Sequence, residues 1–407
     1  MISRQVLVLL HRYVGLVIAA FMVVSGLTGS LIAFRDELDV WLNPELFQAR
    51  GVGTPLPIEE IVARVEQSDA RVMVSVLPLQ AEPGSSYAIR VQPRVDTATG
   101  RPFQLDYNQV FVDPVSGEIV GQRKTGGCCF ARPQLMMFLY VVHNNLMLPG
   151  RWGNWLMGAV AILWAIDCFV AITLTFPRNR PFMERWRQAF LVRRGTNGQR
   201  LVLDIHRASG LWFWCLLLMV AVTAISLNLA DEIVRPLLST VTTVTPSPRE
   251  QGRPRFTLRP PAPSFTYTQA AARAEADMAA RGTPMKAFEV AYLAYYKVYI
   301  VSLAEPGGDP EEGLGHPQLF LDSVTGEVVR ADIPGVGSGG DIFLQWQLPL
   351  HSGRIVGLPG QILIALSGIA VSVLAVLGVV IWWRKRRART QRSQWAAEGT
   401  ATSAATP

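Results

Sequence analysis

The chain has 407 residues, of which 50% are hydrophobic and only 17% are charged, and its mean hydropathy is +0.25. This composition is too apolar for a soluble protein and too mixed for a bundle of spans alone, so it indicates an integral membrane protein, in contact with the lipid bilayer, with sizeable extramembrane parts. The net charge of +7 does not indicate nucleic-acid binding, because the arginines gather at the ends of apolar runs rather than in a patch with interleaved aromatics.

The first predicted element is a membrane span within residues 1–35. The apolar run from Val6 to Phe34 is long enough to cross a bilayer core of about 30 Å as a helix. It is longer than the hydrophobic region of a secretory signal, and no A-x-A cleavage site follows it, so we expect it to stay in the mature protein. Its first turns carry His11 and Arg12, and ionisable groups at that depth indicate a functional site.

A small α+β domain is predicted for residues 36–132. Apolar residues at helical spacing occupy Ile58–Val65, and the tight-turn sequence of Asp113–Val120 predicts a hairpin. Strand-like composition is found at Val72–Val76, Tyr87–Val91 and Val110–Val112. The adjacent Cys128 and Cys129 near the end of this domain are most simply two thiols or one incidental bridge.

The next apolar region is interrupted, which divides it into an interfacial helix and a second span. The interfacial helix, residues 133–154, carries His143, and residues 155–177 are long enough to cross the bilayer. The loop at residues 178–200 holds seven arginines against the single Glu184. By the positive-inside rule this loop is cytoplasmic, and so are both termini.

The second half of the chain repeats this order. We expect a third span at 201–230 that opens with His206-Arg207, a second polar domain at 231–345, an interfacial segment with His351 at 346–361, a fourth span at 362–383, and a basic, disordered tail at 384–407. The second domain shows a Pro-rich linker at 246–263, a helix at Tyr267–Ala280, a strand at Val290–Val301 and a hairpin at 322–329. The pattern predicts a tandem duplication in parallel orientation, with a pseudo-two-fold axis along the membrane normal.

Four of the five histidines occupy matched positions in the two halves. His11 and His206 are predicted near the cytoplasmic edge, and His143 and His351 near the outer edge. Histidine is a common axial ligand of haem iron, so the chain offers one bis-histidine site at each side of the membrane, or up to four singly ligated haems. The axial pairing is open, and Met136, Met137 or Met147 is an alternative ligand.

The neighbours of these histidines suit haem better than zinc. Gly15 and Gly210 lie four residues after His11 and His206, on the same helical face, where a missing side chain leaves room for a flat macrocycle. Candidates to pair with haem propionates are Arg12, Arg207, Arg151 and Arg354. Zinc requires several close ligands, and no such cluster is visible in the sequence. No dinucleotide or phosphate-loop motif is present, so reducing equivalents are expected from elsewhere.

The chain resembles the PepSY-associated transmembrane proteins. The resemblance rests on His-Arg-x-x-Gly-Leu opening a span, a D-x-x-[ST]-G-E-[IV]-V hairpin closing each polar domain, and a histidine followed by Leu-Pro-Gly, over residues 4–387. It implies a bacterial inner-membrane protein with two PepSY-like periplasmic domains. It also implies haem b, two groups in all, on His11, His143, His206 and His351, and electron transfer from an unknown cytoplasmic reductant to a periplasmic ferric siderophore. The alternatives are a membrane-anchored PepSY binding or regulatory protein, and a permease for iron chelates.

Overall fold

The computed structural model describes residues 3–126, 130–246 and 262–404, with side chains up to residue 391. The adjacent Cys128 and Cys129, and most of the Pro-rich linker at 246–263, lie outside the described residues. The helices are α1 Arg4–Ile32, α2 Arg35–Leu42, α3 Pro44–Phe47, α4 Ile58–Ser68, α5 Leu135–Asn145, α6 Trp152–Thr175, α7 Phe182–Arg187, α8 Gly198–Trp212, α9 Trp214–Asn228, α10 Arg235–Leu238, α11 Tyr267–Ala280, α12 Gly339–Ser352 and α13 Gly357–Ala404. The strands are β1 Val72–Pro78, β2 Tyr87–Pro93, β3 Gln109–Val112, β4 Ile119–Arg123, β5 Lys286–Leu293, β6 Val298–Ala304, β7 Gln318–Asp322 and β8 Val328–Asp332.

Three helices of the described chain are long and apolar enough to cross a membrane: α1, α6 and the apolar part of α13. The bent pair α8–α9 raises the number to four if it forms one span. The third predicted span is therefore two helices that meet at 66° rather than one straight helix. The bend follows Ser209-Gly210, and the Ser209 Oγ donates a hydrogen bond to the Ile205 carbonyl at 2.7 Å, a contact that often bends helices.

Small residues bring α1 and α13 into close contact. A Cβ atom added at Gly26 would collide with the carbonyl oxygen of Gly368, and one at Gly368 would collide with that of Gly26. The Ser30 Oγ donates to the Ala365 carbonyl of α13 at 2.7 Å. Membrane helices associate through such backbone approach and interhelical hydrogen bonds, since lipid offers no hydrophobic drive for their packing.

The strands form one continuous antiparallel sheet of eight strands in the described residues, in the order β4-β3-β2-β1-β5-β6-β7-β8. Each half contributes a four-stranded meander, and the halves join where β1 pairs with β5, with Val76 opposite Ala291. The sequence predicted two α+β domains, whereas the structure joins their sheets. A meander leaves its first strand with an unpaired edge, and pairing two such edges satisfies both.

Helices α4 and α11 cover one face of this sheet and form its core. The fully buried side chains Ile61 and Val65 of α4 and Met278 of α11 pack against the strands. The Tyr267 hydroxyl of α11 donates to the Val74 carbonyl of β1 at 2.9 Å, which ties the second half to the first. The helix predicted at Tyr267–Ala280 matches α11.

One local prediction was wrong. The strand predicted at Val290–Val301 is the hairpin of β5 and β6, which turns at Lys297 (φ 60°) and places Tyr292 opposite Tyr299. The basic segment after the fourth span continues α13, because Arg, Lys, Ala and Gln are frequent in it and favour helix.

A buried ion pair fixes the sheet to the helix bundle. Arg123 at the end of β4 donates through both terminal nitrogens to Asp39 of α2, at 2.9 and 2.7 Å, and also to the Pro133 carbonyl at 3.0 Å. Because α2 follows α1 and Pro133 precedes α5, the sheet lies at the bundle end where α1 finishes. We call this the sheet end, and we call the opposite end, which carries the arginine-rich loop, the arginine end.

Candidate functional site

The four matched histidines form two facing pairs. The ring centroids of His11 on α1 and His206 on α8 are 6.2 Å apart, and those of His143 on α5 and His351 on α12 are also 6.2 Å apart. We call these the arginine-end pair and the sheet-end pair. A bond of about 2 Å from each imidazole nitrogen to a metal between two rings separates the ring centroids by about 6 Å. Each pair therefore has the spacing at which two imidazoles could hold one metal ion between them.

Hydrogen bonds at Nδ1 orient both rings of the arginine-end pair. The His11 Nδ1 lies 2.9 and 3.0 Å from the carboxylate oxygens of Asp167, and the His206 Nδ1 lies 3.1 Å from the Leu374 carbonyl oxygen. A carboxylate and a carbonyl only accept, so Nδ1 carries the proton in each neutral ring. The lone pair is then on Nε2, the nitrogen that remains for a metal.

The sheet-end pair is oriented in the same way by different acceptors. The His143 Nδ1 lies 3.0 Å from the Ser25 carbonyl oxygen and 3.2 Å from the Thr28 Oγ1, and the His351 Nδ1 lies 2.9 Å from the Thr223 Oγ1. The Thr223 hydroxyl uses its proton on the Met219 carbonyl, so it accepts from His351. Within the part of the chain that the structure describes, no hydrogen bond reaches the Nε2 of any of the four histidines.

A cavity of about 710 Å³ surrounds the arginine-end pair. Gly15 and Gly210 line it, and a Cβ atom at Gly15 would meet nothing within 4 Å, while one at Gly210 would meet only a Leu374 methyl at 3.7 Å. The glycines predicted to leave room for a macrocycle thus border open space. A cavity of several hundred Å³, mostly apolar and with a few polar groups, is typical of a cofactor site, and these residues fit haem.

Two arginines predicted as haem-propionate partners, Arg12 and Arg207, line this cavity. The Arg207 guanidinium is bound by Asp204 at 2.9 Å and by the Ala189 carbonyl at 3.1 Å. Among the described residues Arg12 has no ion-pair partner. Arg12 is therefore the better placed of the two to receive an anionic group in the cavity.

The other two arginines, Arg151 and Arg354, form ion pairs with carboxylates instead. Arg151 lies 2.6 Å from Glu232, and Arg354 lies 3.3 Å from Asp36 and also pairs with Glu311. Asp36 follows the first span and Glu232 the third, so each arginine binds the acidic residue of the other half. These ion pairs compete with the propionate contacts that the sequence predicted for Arg151 and Arg354.

Sequence reasoning missed Asp167, although a signal for it existed. Asp167 is a single acid in the middle of the apolar helix α6, and its side chain is only 10% exposed. An ionisable residue at that position is by default a functional candidate. Reasoning from sequence also missed Gly29 and Gly378, where an added Cβ would lie 2.9 Å from the His143 ring and 3.6 Å from the His206 ring.

A purely protein-bound metal centre has little support. No group of three or more His, Cys, Asp or Glu side chains in residues 3–126, 130–246 and 262–404 is placed to hold a metal ion. Two histidines alone are too few for a zinc site, whereas they complete the coordination of an iron that a porphyrin already holds.

A family model matches most of the chain. The model of the family described as the PepSY-associated TM region matches residues 8–385, which includes all four histidines of the pairs. No curated protein matches the chain at a significant level.

Proposed function

Because the chain belongs to the PepSY-associated TM region family, we propose that it is a ferric-siderophore reductase of the bacterial inner membrane that uses haem b, with two haems per chain. One observation carries the proposal: two histidine pairs with the same 6.2 Å ring spacing, each ring held through Nδ1. In this role in iron acquisition, the electron acceptor is a ferric chelate at the sheet end. The electron donor is a cytoplasmic one-electron reductant at the arginine end.

A tandem duplication accounts for the two pairs. From each edge of the sheet to its centre, the strands of one half follow in the order fourth, third, second, first. Thr28 and Thr223 also lie equally far after His11 and His206. The crossed ion pairs of Arg151 and Arg354 repeat the same relation. In a parallel duplication, equivalent histidines are neighbours around a pseudo-two-fold axis, and each axial pair takes one ligand from each half.

The proposed orientation places the arginine-rich loop and both termini in the cytoplasm. Seven arginines in residues 178–200 and the run Arg384–Arg387 lie at one end of the bundle, and the positive-inside rule assigns that end to the cytoplasm. The sheet, with its two PepSY-like halves, is then periplasmic and above the sheet-end pair, where it would admit the acceptor.

The bound haem would supply reversible one-electron chemistry at each pair. The residues of the protein would hold the haem and set its surroundings. His11, His206, His143 and His351 would hold the two haem irons, with two imidazoles for each iron, which would leave no position for O₂ and would favour electron transfer over oxygenation. The walls of the arginine-end cavity are mostly apolar, and Arg12 is placed to neutralise a propionate. In the net reaction one electron leaves the cytoplasmic donor and reduces one Fe(III) of the chelate to Fe(II), which siderophores hold far more weakly.

A reduced-minus-oxidised optical spectrum of the detergent-purified protein, with haem quantified per chain, tests this proposal. We expect a b-type α band from two haems, and His206→Leu should remove one of them. His316→Leu is the matched control, since the Nδ1 of His316 bonds to Pro310 in the sheet domain, away from both pairs. A colourless protein from haem-sufficient cells would contradict the proposal and leave a membrane-anchored binding or regulatory protein.

A transport assay separates the reductase from a permease. In proteoliposomes with dithionite enclosed at the arginine end, the reductase should produce Fe(II) outside, detected with a ferrous chelator. A permease would instead carry the labelled ferric chelate inward intact, with no Fe(II) outside.

A further inference from the structure

Asp167 distinguishes His11 from the other three histidines. The Nδ1 of His11 bonds to both oxygens of a carboxylate, at 2.9 and 3.0 Å, while the other three rings bond to neutral carbonyl or hydroxyl oxygens. In the second half Leu374 supplies its backbone carbonyl to the equivalent ring, His206. The duplication therefore repeats the ligand and not its partner, so the carboxylate is a feature of this pair alone.

A buried carboxylate is costly unless it has a partner. Besides His11, the charged groups that line the cavity around Asp167 are cations, namely Arg12, Arg207, Lys385, Arg386 and Arg389. None of these cations forms an ion pair with Asp167 among the described residues; His11 is its partner. The negative charge of Asp167 therefore interacts mainly with His11.

We propose, on the basis of the proposed function, that Asp167 is a positioning residue. It gives the arginine-end site a lower reduction potential than the sheet-end site. A carboxylate on Nδ1–H makes the imidazole a stronger donor through Nε2, and its negative charge at low dielectric favours Fe(III) over Fe(II). Electrons would then pass downhill from the arginine end to the sheet end. The side chain of Asp167 on α6 would thus set the direction of electron transfer.

A redox titration of single-haem protein tests the proposal. The variant His143→Leu removes the sheet-end site, so the remaining haem reports on the arginine-end pair. In that background Asp167→Asn keeps the size of the side chain and an acceptor oxygen but removes the charge. We expect the equilibrium constant for reduction to rise at least tenfold, a shift of about 59 mV for one electron. Asp167→Glu should restore most of the low potential.

Asp204→Asn is the matched control, because it removes another buried carboxylate of the bundle that bonds to Arg207 and not to a histidine. A tenfold rise in Asp167→Asn with little change in Asp204→Asn supports the proposal. An unchanged potential in Asp167→Asn overturns it. A shift in Asp204→Asn is expected to be smaller, because that carboxylate bonds to Arg207 and does not touch a histidine; a shift there as large as in Asp167→Asn would mean that any buried negative charge near the cavity sets the potential and would overturn the specific role of Asp167. If Asp167→Asn loses haem altogether, the Asp167→Glu variant decides. A potential that stays low in Asp167→Glu supports the proposal, and a tenfold rise in its equilibrium constant for reduction overturns it. Absence of haem from the unmodified protein would instead defeat the proposed function itself.

Discussion

The two histidine pairs share one ring spacing and differ in almost everything around it. At the arginine end, His11 and His206 border a cavity, and Gly15 faces open space. At the sheet end, His143 lies against Gly29, and both rings are held by the backbone or hydroxyls of α1 and α9. The comparison shows that helix positions set the distance between the two histidines of a pair, while single residues set the charge and the space around each pair.

The largest expected effect tests whether the pairs are independent. His351→Leu should remove the sheet-end haem and leave the arginine-end haem, the converse of His206→Leu, and the double variant should have none. The reason is that each pair takes its ligands from different helices, α5 and α12 for one and α1 and α8 for the other. Haem per chain, measured as the pyridine haemochrome, checks this. Loss of both haems in either single variant would mean that the pairs form one cooperative unit.

An intermediate effect tests the difference in space. Gly29→Ala adds a methyl group 2.9 Å from the His143 ring, closer than carbon atoms pack, so the ring must shift at a cost of about 1–3 kcal/mol. Gly15→Ala meets nothing within 4 Å. We expect Gly29→Ala to change the α band and lower the thermal stability of the sheet-end site, and Gly15→Ala to change neither site's haem content. Similar losses in both variants would refute the contrast.

The smallest effect separates the two rings of the sheet-end pair. Thr223→Val removes the hydroxyl that accepts from His351, at a cost of about 1 kcal/mol. Thr28→Val should cost less, because His143 keeps the Ser25 carbonyl as an acceptor. The rate of haem transfer to apomyoglobin from each variant measures the difference. Equal rates in the two variants would contradict the predicted difference, and rates equal to that of the unmodified protein would show that the hydroxyls do not orient the rings.

The repeat placed equivalent histidines in matched positions but left the axial pairing open, and the structure brings His11 to His206 and His143 to His351. Local periodicity predicted α4, α11 and the first three strands. The partner of His11 was not predictable from the repeat, since Asp167 has no acidic counterpart in the second half. The bend between α8 and α9 could not be predicted without knowledge of the Ser209 hydrogen bond. The ion pairs of Arg151 and Arg354 depend on helix ends that come together only in the folded bundle.

The sequence pattern also did not predict that the two sheets join. The pattern of β1 and β5 shows two half-buried strands but not that Val76 lies opposite Ala291, because pairing over so long a separation depends on where the spans place the two meanders.

That central pairing has a consequence for how the chain is made. The ribosome completes β1 long before β5, and the second span, the arginine-rich loop and the bent third span must all be synthesised between them. Until then β1 presents an unpaired edge, which is a site for aggregation. We expect the first meander to be the segment most dependent on chaperones, and a chain truncated before β5 to be degraded rather than to persist as a half-protein.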